Sequence, residues 1–115
     1  MTLLARLISK EEGFGIPGTI PTRDHNPGDL RHSPHSSHEG EGPDDIGIID
    51  SDTDGWADEE RQLQLYASRG LTLRQMIVDY YAPSDENNSA AYLNYVCEGL
   101  GFGPDTLVSE ALKLP

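Results

Sequence analysis

Between Gly13 and Asp54 the chain is broken every few residues by Gly, Pro, Asn, Asp, Ser or His. No regular element longer than a few residues survives such a density of turn formers. That stretch dictates the plan: one helix before it, short strands within it, and helices after it. Ahead of it, Leu3, Leu4, Leu7 and Ile8 recur at helical spacing and predict a helix over residues 2–12, stopped by Gly13, Gly15, Pro17 and Gly18. Within it, the strand-like pieces are Leu30-Arg31-His32 and Gly47-Ile48-Ile49-Asp50, enough for a small irregular hairpin. Beyond it, Trp56 to Ser68 reads as a helix with Trp56, Leu63 and Tyr66 turned inward and Gly70 in the left-handed capping position. Thr72 and Gln75 form a capping box for the next helix, whose apolar face is Leu73, Met76, Ile77 and Tyr80, with Pro83 after its end. Ser89 is expected to cap a helix containing Tyr92, Tyr95 and Val96 and ended by Gly99. A last short helix starts near Asp105 and buries Leu107, Val108 and Leu112. The expected class is α+β, mostly α, in one domain over residues 1–115.

The other bulk properties exclude more than they assign. A single cysteine, Cys97, forms no internal disulfide and is expected as a small apolar group in a helix. No stretch reaches transmembrane length. The N-terminus lacks a basic leader region, and Arg6 interrupts its apolar run, so it reads as the first helix of the domain and not as a signal peptide. Cytoplasmic synthesis, with phage-type or virion-associated delivery to any extracellular target, is the corresponding expectation. A net charge of -12 with only 8 Lys and Arg excludes a phosphate-binding face, and hence nucleic acid. Ten of the twenty acids fall between Glu39 and Glu60, leaving the remaining surface nearer balance.

Chemistry concentrates in Glu11-Glu12-Gly13-Phe14 and Arg23-Asp24-His25-Asn26-Pro27-Gly28-Asp29-Leu30-Arg31. A glutamate at the C-terminal end of an apolar helix is disfavoured as an anion both by the core and by the helix dipole, which suits a general acid. By residue type alone the same glutamates are ordinary solvated charges. An apolar helix ending in Glu12-Gly13-Phe14, then Pro17-Gly18, Arg23 and Asn26-Pro27-Gly28-Asp29-Leu30-Arg31, forms the first part of an ordered set. Asp54-Gly55-Trp56, Gln62 to Tyr66, Gly70-Leu71-Thr72-Leu73, Tyr81-Ala82-Pro83, Glu86-Asn87 and Tyr92 complete it. This set resembles a family of small lysozyme-like proteins of phages and bacteria, related to the soluble lytic transglycosylases and goose-type lysozymes. The likeness runs over most of residues 2–112.

The resemblance implies a lysozyme-like domain with a small hairpin between the first helix and a C-terminal helical cluster. It also implies an enzyme that cleaves the β-1,4 bond between MurNAc and GlcNAc in peptidoglycan, as a muramidase or a lytic transglycosylase. The acid falls on Glu12. On a helical wheel Glu11 lies nearer the centre of the apolar stripe and Glu12 at its edge, where a cleft-lining acid belongs, so Glu11 is the fallback. Arg23, Asn26, Tyr81, Asn87 and Tyr92 are the implied substrate-binding residues, though Asn26 also reads as turn chemistry and the tyrosines as core. No cofactor is required, the partner is the glycan strand, and a monomer is expected. A hydrolase would need a second carboxylate, with Asp24, Asp52 and Asp54 available, whereas a transglycosylase closes the sugar's own 6-hydroxyl onto the anomeric carbon.

Two rivals remain. The fold can be kept for glycan binding or virion architecture without catalysis. Alternatively, Asp50-Ser51-Asp52-Thr53-Asp54-Gly55 opens like an EF-hand loop, with Asp58 at its ninth position, and suggests calcium at Asp50, Asp52 and Asp54. Its twelfth position, however, is Arg61 instead of Glu. His32, His35 and His38, spaced at three, can collect a transition metal but read more simply as a solvated loop.

Overall fold

The computed structural model describes residues 1–38, 46–82 and 86–115, and the molecule is mostly helical. Pro83 and the acidic residues 39–45 lie outside the described residues. In chain order the elements are α1 (Leu3–Glu11), α2 (Ile20–Arg23), β1 (Ser36–His38), β2 (Ile48–Ile49), α3 (Asp52–Ser68), α4 (Leu73–Met76), a π-helical turn (Ile77–Tyr81), α5 (Glu86–Leu100) and α6 (Val108–Ala111). By internal contacts they fall into two units, Met1 with Ile8–Gln62, and Thr2–Leu7 with Leu63–Pro115. No helix among the described residues is long and apolar enough to cross a membrane.

The first unit is built around irregular backbone, and side chains brace what strands elsewhere would. Asn26 is fully buried: its Nδ2 donates to the carbonyls of Leu30 at 2.7 Å and Gly47 at 2.9 Å, and its Oδ1 accepts from the Leu30 N–H at 2.9 Å. This side chain takes up the Leu30 N–H, so Leu30 pairs with backbone only through its carbonyl, which accepts the Gly47 N–H at 2.9 Å, and residues 30–32 do not form the expected strand. The strand that pairs with Ile48–Ile49 is instead Ser36–His38, antiparallel, with Ser36 opposite Ile49 and His38 opposite Ile48 across an irregular register. His25 and Asp29, on either side of Asn26-Pro27-Gly28, adopt positive φ of 51° and 52°, a conformation that short polar side chains tolerate.

Helix α3 starts at Asp52, four residues before the expected Trp56. Ser51 caps it: its hydroxyl accepts from the Asp54 N–H at 3.2 Å and its carbonyl from the Gly55 N–H at 3.0 Å. Asp52 and Asp54 then sit in the first turn, where the helix dipole favours anions. The segment read as the opening of a calcium loop is therefore a capped helix start, with Asp52, Asp54 and Asp58 on α3 and not on a wrapping loop. Its buried face is Gly55, Asp58, Glu59, Leu63 and Tyr66, and Trp56, expected inward, is only half-buried. Gly55 has no alternative residue: a Cβ there would lie 2.0 Å from the His25 carbonyl oxygen and 2.7 Å from Pro27 Cδ.

The second unit has a conventional apolar core, with Leu4, Leu63, Leu73, Met76, Ile77, Val96 and Val108 all at 0% exposure. Thr72 and Gln75 form the expected capping box, and Gly70 takes φ +72°. After Met76 the helix widens into a π-turn, closed by the Ala82 N–H donating to the Ile77 carbonyl at 2.9 Å. Ser89 is not a cap. It lies inside α5, and its hydroxyl donates to the Ala82 carbonyl, tying α5 to the end of the π-turn. Gly99 does not stop α5 either. The helix runs to Leu100 and is closed by Gly101 at φ +75°, while Gly99 makes room for Leu7, whose Cδ2 would stand 2.6 Å from a Cβ. The last helix starts at Val108, three residues later than expected, leaving Leu107 44% exposed and Leu112 half-buried. Cys97 is half-buried on α5, and burial pushes its thiol pKa up.

Candidate active site

The buried stripe of α1 is Leu4, Ala5, Ile8 and Ser9, not the Leu3/Leu4/Leu7/Ile8 set. Small residues at positions 5 and 9 move its centre, so the next position on the stripe is Glu12, while Glu11 is exposed. Glu12 extends the helical hydrogen-bond ladder past Glu11, donating its N–H to the Ile8 carbonyl at 2.9 Å. Its side chain is half-buried. The chain then reverses through Gly13 at φ +90°, and the Phe14 N–H donates back to the Ser9 carbonyl at 2.9 Å. Thr19 fixes this reversal through its hydroxyl, which meets the carbonyls of Gly13 and Ile16, each at 2.9 Å, and Thr22 Oγ1 at 2.7 Å. Phe14 is thereby set edge-on against Trp56 of α3, with ring centroids 5.3 Å apart.

A residue that sequence reasoning passed over dominates the interior of this unit. Glu59 on α3 has no exposure at all, and among the described residues neither of its carboxylate oxygens has a hydrogen-bond partner. Burial, with the nearby charges of Glu60 and Glu12 adding to it, pushes its pKa up to about 9. The turn above it is close. A Cβ on Gly28 would come within 3.1 Å of both Glu59 Cγ and Oε2, so the missing side chain at residue 28 leaves the acid its space. The signal was present in the sequence: Glu59 stands four residues after Gly55 and four before Leu63, on the face that must be buried. Within the run Asp58-Glu59-Glu60 it reads as one more solvated acid.

Its neighbour Asp58 shows how a buried acid is ordinarily accommodated. It receives the His35 N–H at 2.9 Å and His35 Nδ1 at 2.5 Å. Burial pushes its pKa up, but hydrogen bonds, these two included, outweigh that and hold it below the ordinary value. His35 is raised in turn by its bond to Asp58, by the Asp58 charge and by Asp54, whose Oδ1 lies 3.8 Å from Nε2. Of the three spaced histidines, His35 is thus an ion-pair partner, His32 is exposed, and the His38 side chain lies outside the described residues. His25 Nδ1 meets Asp52 Oδ1 at 2.7 Å. Among the described residues no group of three His, Cys, Asp or Glu side chains is disposed to hold a metal ion.

The remaining candidates divide by unit. In the first, Arg23 is exposed at the end of α2. Asp24 beside it is buried, and desolvation raises its pKa against the opposing charges of Arg23 and His25. Asn26, inferred as substrate-binding, is completely engaged with backbone and presents no polar atom outward. In the second unit, Tyr81 and Tyr92 belong to a ring cluster. Tyr81 lies 6.1 Å from Tyr92 and 6.1 Å from Tyr66, and Tyr66 lies 4.9 Å from Tyr80. Tyr92 is buried and Tyr81 half-buried. The backbone of Asn87 lies in the first turn of α5, and its side chain is outside the described residues. Comparison of the chain with protein-family models, with curated proteins and with solved structures returns no match.

Proposed function

We propose that this chain is a lysozyme-like glycosidase that cleaves the β-1,4 bond between MurNAc and GlcNAc of peptidoglycan, with Glu12 as the general acid. The observation that carries this reading is the position of Glu12, a half-buried carboxyl at the end of an apolar helix. It lies two residues before an aromatic pair and within electrostatic reach of a second, buried acid. Such a group donates its proton to the leaving glycosidic oxygen, while the aromatic edge offers an apolar face to a sugar ring. Glu59 is sealed from solvent and cannot reach an anomeric carbon, so it is neither the nucleophile nor the holder of an attacking water. Of the other carboxylates, Asp24 is buried, Asp52 is bonded to His25 and Asp54 lies beside His35, which favours the route in which the sugar's 6-hydroxyl attacks, giving a 1,6-anhydro product.

Digestion of purified peptidoglycan by the wild type and Glu12→Gln, with products identified by mass, tests the proposal. Anhydro-muropeptides made by the wild type and lost in the variant are the expected result. Absence of cleavage across pH and salt would leave the second reading, a non-catalytic glycan-binding or virion component. That reading draws on the net charge of -12, which opposes approach to an anionic wall.

A further inference from the structure

A cavity formed wholly by the second unit is not used by the proposed reaction. Its volume is about 550 Å³, within the size range of small-molecule sites, and α4, the π-turn, α5 and the loop before α6 all contribute to it. The apolar wall is Val78, Ala90, Leu93 and Pro104. Val78 is 38% exposed and belongs to the π-turn, a widened piece of helix of a kind that recurs at functional sites. The polar side is Arg74 and Asn94. Arg74 already has its counter-charge, since Nε donates to Asp105 Oδ1 at 3.0 Å and Nη2 to Asp105 Oδ2 at 3.4 Å. That pair holds the guanidinium in place and leaves Nη1 as a donor, while the Asn94 amide can both donate and accept. Ser89 also lines the cavity, but its hydroxyl is committed to the Ala82 carbonyl.

This lining selects a neutral ligand. With Arg74 neutralised by Asp105, a net charge of -12 disfavours an anion, and no carboxylate among the lining residues offers a cation its partner. No aromatic ring is among them either, so the face of a sugar ring is not what the cavity grips. A small amide bearing a methyl group matches both sides. We propose that the cavity binds the N-acetyl group of an amino sugar: the methyl lies against Val78, Leu93 and Pro104, the carbonyl accepts from the Arg74 guanidinium, and the N–H donates to the Asn94 amide oxygen. The choice of an amino sugar among neutral amides rests on the glycosidase reading. The cavity then gives the chain a hold on a glycan strand made by residues other than Glu12.

Backbone-amide NMR titration of the full chain tests this without reference to cleavage. N-acetylglucosamine is expected to give saturable shifts at Val78, Leu93 and Asn94. Glucose, neutral but without the acetamido group, is expected to give none there. Asn94 is exposed, so Asn94→Ala leaves the fold intact and should weaken binding by about 5-fold or more through the lost hydrogen bond. Absence of shifts at these residues, equal shifts with glucose, or an Asn94→Ala variant that binds like wild type overturns the proposal. N-acetylalanine methylamide carries the same amide without a sugar, and tighter binding of it than of N-acetylglucosamine overturns the amino sugar as the occupant. The digestion assay separates this proposal from the glycosidase reading. Saturable shifts in a protein that cleaves nothing support the cavity and remove Glu12 as an acid, whereas cleavage without shifts overturns the cavity and leaves Glu12 in place.

Discussion

Asn26, Gly55 and Glu12 each carry an effect that a single substitution isolates. Asn26 makes three buried hydrogen bonds to backbone, and truncation strands Leu30 N–H and Gly47 C=O, while Leu30 C=O keeps the Gly47 N–H. Asn26→Ala is therefore expected to lower stability by about 2–4 kcal/mol, read as a reduced denaturation midpoint, since each stranded buried group costs about 1 kcal/mol or more. Gly55→Ala drives a methyl into a backbone carbonyl that cannot rotate away, and a loss of about 2–3 kcal/mol or failure to fold is expected. Glu12→Gln keeps volume and removes a proton donor from a half-exposed position. Its melting temperature should stay within a few degrees of wild type while cleavage falls by about 100-fold or more. Loss of fold in Glu12→Gln would mark that glutamate as structural instead.

Among the elements, those with local signals were legible and those set by tertiary contacts were not. The α1 helix, the Gly70 stop and the Thr72/Gln75 box are determined by residues within a turn of one another and form where the sequence places them, although the buried stripe of α1 shifts to Leu4, Ala5, Ile8 and Ser9. Thr72→Ala should accordingly lower thermal stability by about 1 kcal/mol, the ordinary value of such a cap. The misjudged features depend on distant partners. Gly99 is small because Leu7 lies against it, and Ser89 reaches back to Ala82 rather than opening a helix. The expected strand at Leu30 is displaced by one asparagine four residues earlier. Glu59 belongs to the same class: its spacing along α3 marked it as buried, but only the turn over it and its lack of partners among the described residues distinguish it from a solvated acid.

For the whole molecule the buried acids set a pH dependence whose sign can be worked out. Glu59 is raised from 4.5 to about 9, so its contribution to stability is full below the unfolded value and is lost progressively as pH climbs towards 9. His35, raised by Asp58, acts in the same direction above its ordinary value of 6.5. Asp58, lowered, contributes above 3.8 and is lost as pH falls through its folded value. Melting temperature should thus peak in mild acid and decline through neutral pH, and the decline should be shallower in Glu59→Leu. Parallel curves for the two proteins would remove the raised pKa of Glu59 from the account.

The central claim, that Glu12 cleaves glycan, is tested most directly by mass analysis of peptidoglycan digested with wild type and with Glu12→Gln. The expected result is 1,6-anhydro-muropeptides from the wild type and, with cleavage down by about 100-fold or more, almost none from the variant. Equal products from both would remove Glu12 as the acid, and no products from a folded wild type at any pH would contradict catalysis altogether.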